Sequence, residues 1–151
     1  RLARGIPLSL GSDGAFDGTP VANMRAARQI SQHYRQPILP EHLLEMQTIN
    51  AARAAGLEET LGSLAIGKRA DIVIRDPHAA ESAPGNNPAH TLALILGTGS
   101  VNTVFVDGER IFDAGHSTRV DESKIHASAA RSVTDRAARL GIASNASWPV
   151  G

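Results

Sequence analysis

From Val101 to Gly115 the sequence reads VNTVFVDGERIFDAG, and this stretch restricts the fold more than any other. Two strand-like runs flank Asp107-Gly108, a pair that tolerates the positive φ angles of a tight two-residue hairpin turn. Two antiparallel strands are therefore expected here. Upstream, ADIVIRD from Ala70 to Asp76 is rich in β-branched residues and reads as a further strand. The intervening PHAAESAPGNNP is dense in Pro, Gly and Asn and reads as a loop, after which Asn87 and Pro88 start a short helix through Leu96.

The first half has a different period. Ile6 to Leu10 is a short apolar run between Gly5 and Gly11, the length and flanking of a buried strand. Thr19 then supplies an N-cap and Pro20 a first-turn proline. With Val21, Met24, Ala27 and Tyr34 at helical spacing, a helix from Pro20 to Tyr34 follows. PILPEHLLEMQTINAARAAGL predicts one continuous helix from Pro40, with Leu43, Leu44, Met46 and Ile49 on its apolar side and Gly56-Leu57 as a left-handed cap. Asp121 caps a last helix whose Ile125, Ala129, Val133, Ala137 and Leu140 share one face, ending near Gly141. ASNASWPVG is expected to be a loose tail, and its Asn145-Ala146-Ser147 match to a glycosylation pattern is of a kind common by chance.

The strand, loop, helix order puts Asp13 and Asp17 beyond the carboxyl end of the first strand, the face where parallel α/β folds bind ligands. Taken alone, Ser-Asp-Gly is also ordinary turn chemistry. No His-Glu-x-x-His, Gly-x-Ser-x-Gly or phosphate-loop signature accompanies it. GSDGAFDG lacks nucleotide-binding spacing, so no nucleotide or other organic cofactor site is expected. His33, His42, His78, His90, His116 and His126 are scattered singly, the pattern of solvated or structural histidines.

Charge and length narrow the function classes. Fifteen Lys and Arg balance 15 Asp and Glu across 151 residues, so no net field recruits nucleic acid or an anionic membrane, and a small molecule is the expected partner. With 0 cysteines, disulfides and thiolate metal sites are excluded, leaving His, Asp and Glu as metal ligands. No apolar run approaches the roughly 20 residues of a membrane helix, and the first residues lack a signal-type core; a cytoplasmic protein is expected. A lone buried parallel strand would leave backbone groups unpaired on both sides. The order of elements thus points to a portion of something longer.

IPLSLGSDGA, Asn23 and Arg25 in the following helix, LLEMQTINAARAAGLEETLGSLAIGKRADIVIRD and VNTVFVDGERIFDAG together resemble the C-terminal third of a metal-dependent amidohydrolase of the cytosine deaminase and chlorohydrolase branch. The resemblance spans Ile6 to Gly115, and its most specific part is LGSLAIGKRADIVIRD with VFVDGERIF after it. It implies an α/β fold: a C-terminal fragment of a TIM-type barrel plus part of a small β-sandwich. Residues 1–62 would be the end of the barrel, with Ile6 to Leu10 its eighth strand. Residues 63–120 would be the C-terminal strands of the sandwich, and 121–151 a final helix and tail.

In that family an aspartate after the last barrel strand reaches the metal or its bound water, which implies a catalytic and metal-contacting role for Asp13. A divalent ion lowers the pKa of bound water from about 15.7 to about 7, and a nearby carboxylate holds and relays the proton. Zinc is the first expectation and iron the second. Asp17, in the loop that would border the substrate, is expected to be a solvated loop acid or a helix-entry residue. The His-x-His pair, later histidines and glutamate of the family have no counterpart here, so the chain alone is expected to be inactive and to hold no metal tightly. The implied function is hydrolysis of a carbon-nitrogen or related ring-substituent bond in a small heterocycle. A linear-amide hydrolase of dipeptidase or imidazolone type, and a non-catalytic structural piece, are the alternatives. Homo-oligomerisation or association with a missing N-terminal part is expected.

Overall fold

The computed structural model describes residues 5–12, 19–83 and 85–142 of the sequence. Helices α1 (Pro20–His33), α2 (Pro40–Gln47) and α3 (Ile49–Ala55) come first, followed by strand β1 (Ile72–Arg75). A single turn of helix, α4 (Pro88–His90), continues into a π-helical turn over Thr91–Ile95. Strands β2 (Val101–Val106), β3 (Glu109–Asp113) and β4 (His116–Ser117) and helix α5 (Glu122–Arg139) complete the order. The strands form one antiparallel sheet, β1-β2-β3-β4.

Local chemistry starts these elements where the sequence places them. The Thr19 hydroxyl accepts the Ala22 N–H at 3.2 Å, and Pro20 occupies a first-turn position whose N–H has no partner in any helix. Asp107 (φ 53°) and Gly108 (φ 80°) make the hairpin turn with both φ values positive. Strand β1 is stapled to that turn: the Asp71 carboxylate accepts the Asp107 N–H at 2.6 Å, and the Ala70 carbonyl accepts the Gly108 N–H at 3.1 Å.

The core lies among the helices rather than on the sheet. Val21 and Met24 from α1, Leu43 and Met46 from α2, and Ala93 from the π turn are buried together, with Leu8, Leu10, Ile38 and Leu94 packed around them. Residues 88–96 stand between β1 and β2 in sequence, yet they pack on α1 and α2. Arg25 holds them there. Its Nε and Nη2 donate to the Leu94 and Ile95 carbonyls at 2.7 and 2.8 Å, meeting acceptors that the end of the π turn leaves open.

Several of these expectations change. Ile6 to Leu10 forms no strand, because a strand needs a ladder partner and no described strand runs beside it. Its period of two survives: Leu8 and Leu10 face the core while Ile6, Pro7 and Ser9 are exposed, and the Leu10 N–H donates to the Met46 carbonyl at 3.1 Å. The helix expected from Pro40 to Gly56 is broken at Thr48 (φ −121°, ψ −98°), whose hydroxyl donates to the Leu44 carbonyl at 2.7 Å and competes with the helical pattern. Beyond the break, Gly56 (φ 69°) ends α3 as expected, with the Leu57 N–H bonded to the Ala52 carbonyl at 2.8 Å.

The helix from Asn87 begins as read, with the Asn87 side chain accepting the His90 N–H at 3.1 Å. It then widens, the Leu96 N–H reaching the Thr91 carbonyl at 3.0 Å, where Arg25 claims the next acceptors. Helix α5 starts at Asp121 and ends before Gly141 (φ 64°) as expected, but its apolar residues meet no core: Val133 is 68% and Leu140 72% exposed. Residues 143–151, with Asn145, lie outside the described residues. No described helix is long and apolar enough to cross a membrane.

Candidate active site

Asp13 and Asp17 lie outside the described residues, so the site is built from the elements on either side of them. On the entry side, Leu10 is anchored twice, by its side chain in the helical core and by its N–H on Met46. On the exit side, Thr19 caps α1, and the Gln47 side-chain amide donates to the Pro20 carbonyl at 3.5 Å. Both flanks therefore meet the last two residues of α2. At the N-terminal end of α1, which Thr19 caps, the helix dipole favours a negative charge.

Asn23 and Arg25 both lie on α1. Arg25 is committed to the two carbonyls of the π turn, which makes it a tie between α1 and residues 88–96. Sequence reading placed Asn23 and Arg25 in the helix without this partner. It also missed Gln47, which carries no local signal, since its partner is 27 residues away.

The six histidines are all exposed, as their scatter implied. His116 stands 3.5 Å from the Glu122 carboxylate, and His33 meets the Tyr34 ring edge-on. Among the described residues no three His, Asp or Glu come together in a group able to hold a metal ion. The described donor set thus does not fit a divalent-ion site, and no chemical step is assigned to an ion held by it.

Groups with displaced titration lie elsewhere. Burial pushes the Arg75 guanidinium down, with Glu81 opposing, while Arg75 donates to the Gly97 carbonyl and the Ser100 hydroxyl, both at 2.7 Å. The Glu81 carboxylate accepts the Gly97 N–H at 3.0 Å, so this cluster ties β1 to the turn before β2. A cleft of about 270 Å³ beside it is lined by Arg75, Asp76, Ser82, Thr91, Leu92 and Leu96 among others, and none of Leu10, Thr19 or Met46 borders it. Arg119 holds the Glu109 carboxyl below the usual carboxylate range through a hydrogen bond first and its charge second. These contacts serve the sheet.

The amidohydrolase family model matches residues 1–111, and the chain belongs to that family. Among its relatives is a 5-methylthioadenosine/S-adenosylhomocysteine deaminase from Desulforudis audaxviator, 35% identical over 130 residues, which are 82% of this chain and 30% of that protein. An S-triazine hydrolase from Gordonia rubripertincta is 29% identical across 97% of this chain and 33% of its own length. The crystal structure of an adenosine deaminase from Xanthomonas campestris with bound zinc superimposes with a TM-score of 0.82 at 25% identity, over 89% of this chain and 32% of that one. The chain spans about a third of the length of the proteins it matches.

Proposed function

We propose that this chain is the C-terminal portion of a metal-dependent hydrolase that removes an amino group from the ring of a small heterocycle, an adenosine-type nucleoside being the first candidate. The observation that carries this reading is the 35% identity to a methylthioadenosine and adenosylhomocysteine deaminase across 82% of the chain. The division in the reading follows the expected one: residues 1–62 with the barrel, 63–120 with the sandwich, and 121–151 as terminal helix and tail. The packing of residues 88–96 on α1 and α2 joins the first two parts.

Asp13, inside the family-matched region, is assigned the proton-handling role. In this reading water adds to the ring carbon, its proton passes to the Asp13 carboxylate, and that proton is returned to the departing nitrogen so that ammonia leaves. A divalent ion, zinc ahead of iron, belongs to the reading, with ligands from residues other than those described, and would supply an activated water at neutral pH. The chain alone is then inactive. Partnership with the rest of such an enzyme, or with a second copy, is supported by apolar side chains facing outward, among them Leu64 (80% exposed) and Ile66 (fully exposed).

The 29% identity to an S-triazine hydrolase favours a second reading, in which the ring acted on is an s-triazine rather than a nucleoside base. Turnover of 5′-methylthioadenosine and of a chloro-s-triazine by the complete enzyme separates the two. In either case Asp13→Ala is expected to lower kcat by about 10²- to 10⁴-fold. Near-normal turnover in that variant would refute the assignment.

A further inference from the structure

Helix α5 carries its own complement along one stripe. Counted from Ala129, Ile125 and Val133 lie four residues to either side, and Glu122 and Arg136 seven. At about 3.6 residues per turn, steps of four and seven stay on one helix face, so these five residues share it. No residue of α5 is buried, and Ile125, Ala129, Val133 and Arg136 are all exposed. Arg136 has no ion-pair partner among the described residues. The Glu122 carboxylate accepts the Ser117 N–H at 3.1 Å and stands 3.5 Å from the His116 ring, yet its side chain remains 39% exposed.

A twofold axis through Ala129 would run a second copy of the helix antiparallel and exchange residues at equal distances from the axis. Ile125 then meets the partner subunit's Val133, and Glu122 meets the partner subunit's Arg136. The alanine at the axis lets the two helices approach to about 8 Å. A parallel pair would instead set like charges against each other at both ends of the stripe, which is unfavourable.

We propose that this face of α5 is a self-docking surface, on which a second copy of the same chain packs antiparallel about Ala129 and is closed by two Glu122–Arg136 ion pairs. The occupant is a second copy because the apolar residues and the opposite charges recur at equal steps from one residue, as a self-complementary contact requires and an unrelated surface does not. The inference does not rest on the reaction assigned above. The 18 residues of α5 make a helix about 27 Å long, and one such pair falls below the roughly 1,200 Å² of a stable standard interface. The association is therefore reversible, and α5 stands uncovered in dilute protein.

The test is sedimentation of the complete enzyme over a wide range of concentration, for wild type, Glu122→Arg, Arg136→Glu and the double variant, with circular dichroism as the check that α5 is retained. Each single variant opposes like charges twice and is expected to raise the dissociation constant of the dimer by about tenfold or more. The double variant should restore it, although both of its changes oppose the helix dipole. An equimolar mixture of the two single variants should form mixed dimers, because each then meets the charge it lacks.

A dimer whose dissociation constant is the same in all four proteins would overturn the inference, since another surface would then hold it. So would a double variant and a mixture that both fail to recover the association. An enzyme that stays monomeric at every concentration would show that the remainder of its own chain covers α5, and would overturn the inference equally.

Discussion

A Cβ added to Gly62 would stand 2.7 Å from the Cβ of Ala52, closer than side-chain carbons approach one another. The same atom would lie 2.9 Å from the Ile49 Cα and 3.1 Å from the Thr48 carbonyl oxygen. Gly62 also has φ +85°, the left-handed region in which an L side chain is strained. The chain leading to the sheet thus crosses the α2–α3 corner in contact with it. Only a residue without a side chain permits that approach.

Gly62→Ala should therefore combine backbone strain with overpacking, for a loss of about 2 to 4 kcal/mol. Urea unfolding should show a lower midpoint with an unchanged m-value. A variant as stable as wild type would mean that the α2–α3 corner and the crossing chain are not in contact in solution.

Leu43 is completely buried, and Val133 on α5 is 68% exposed. Leu43→Ala should cost about 3 to 5 kcal/mol, the lost transfer energy plus a cavity. Val133→Ala should stay within about 0.5 kcal/mol. Thermal unfolding of the two variants in parallel checks both. Comparable losses would show that α5 is covered in solution and that its face belongs to an interface.

The cap of α5 should respond to acid. The Ser123 hydroxyl at 2.5 Å, followed by the Lys124 N–H at 3.2 Å and the Lys124 ammonium at 3.3 Å, holds the Asp121 carboxyl below the usual carboxylate range. A carboxyl whose pKa is lower folded than unfolded stabilises fully above the unfolded value, about 3.9, and loses that effect as pH falls through the folded value. Helicity by circular dichroism should fall in this window. Asp121→Asn keeps a capping oxygen but does not titrate, so the difference between variant and wild type isolates the effect. Identical acid profiles would remove Asp121 from the account.

The helix starts at Thr19 and Asp121, the Asp107-Gly108 turn and the Gly56 cap were all legible in advance, because each depends on a few adjacent residues satisfying their own backbone. Strand β1 was read as seven residues and is four, Ile72–Arg75, because pairing with β2 decides its ends. The candidate site was legible only as a position. Asp13 stood out through Ser-Asp-Gly and the family resemblance, while nothing near Gln47 or Met46 marked them as the anchors of its flanks.

By itself, then, the sequence determined the local punctuation of this chain and its membership of the amidohydrolase family, whose model spans residues 1–111. Tertiary structure alone decided that Ile6 to Leu10 docks on helices with no strand partner among the described residues, that α2 ends at Gln47, and that residues 88–96, between β1 and β2 in sequence, join the helical core. The reason is distance along the chain. A cap or tight turn is settled by groups within about one turn of backbone, whereas Arg25 and Leu94 are 69 residues apart and interact only once the helices between them have packed.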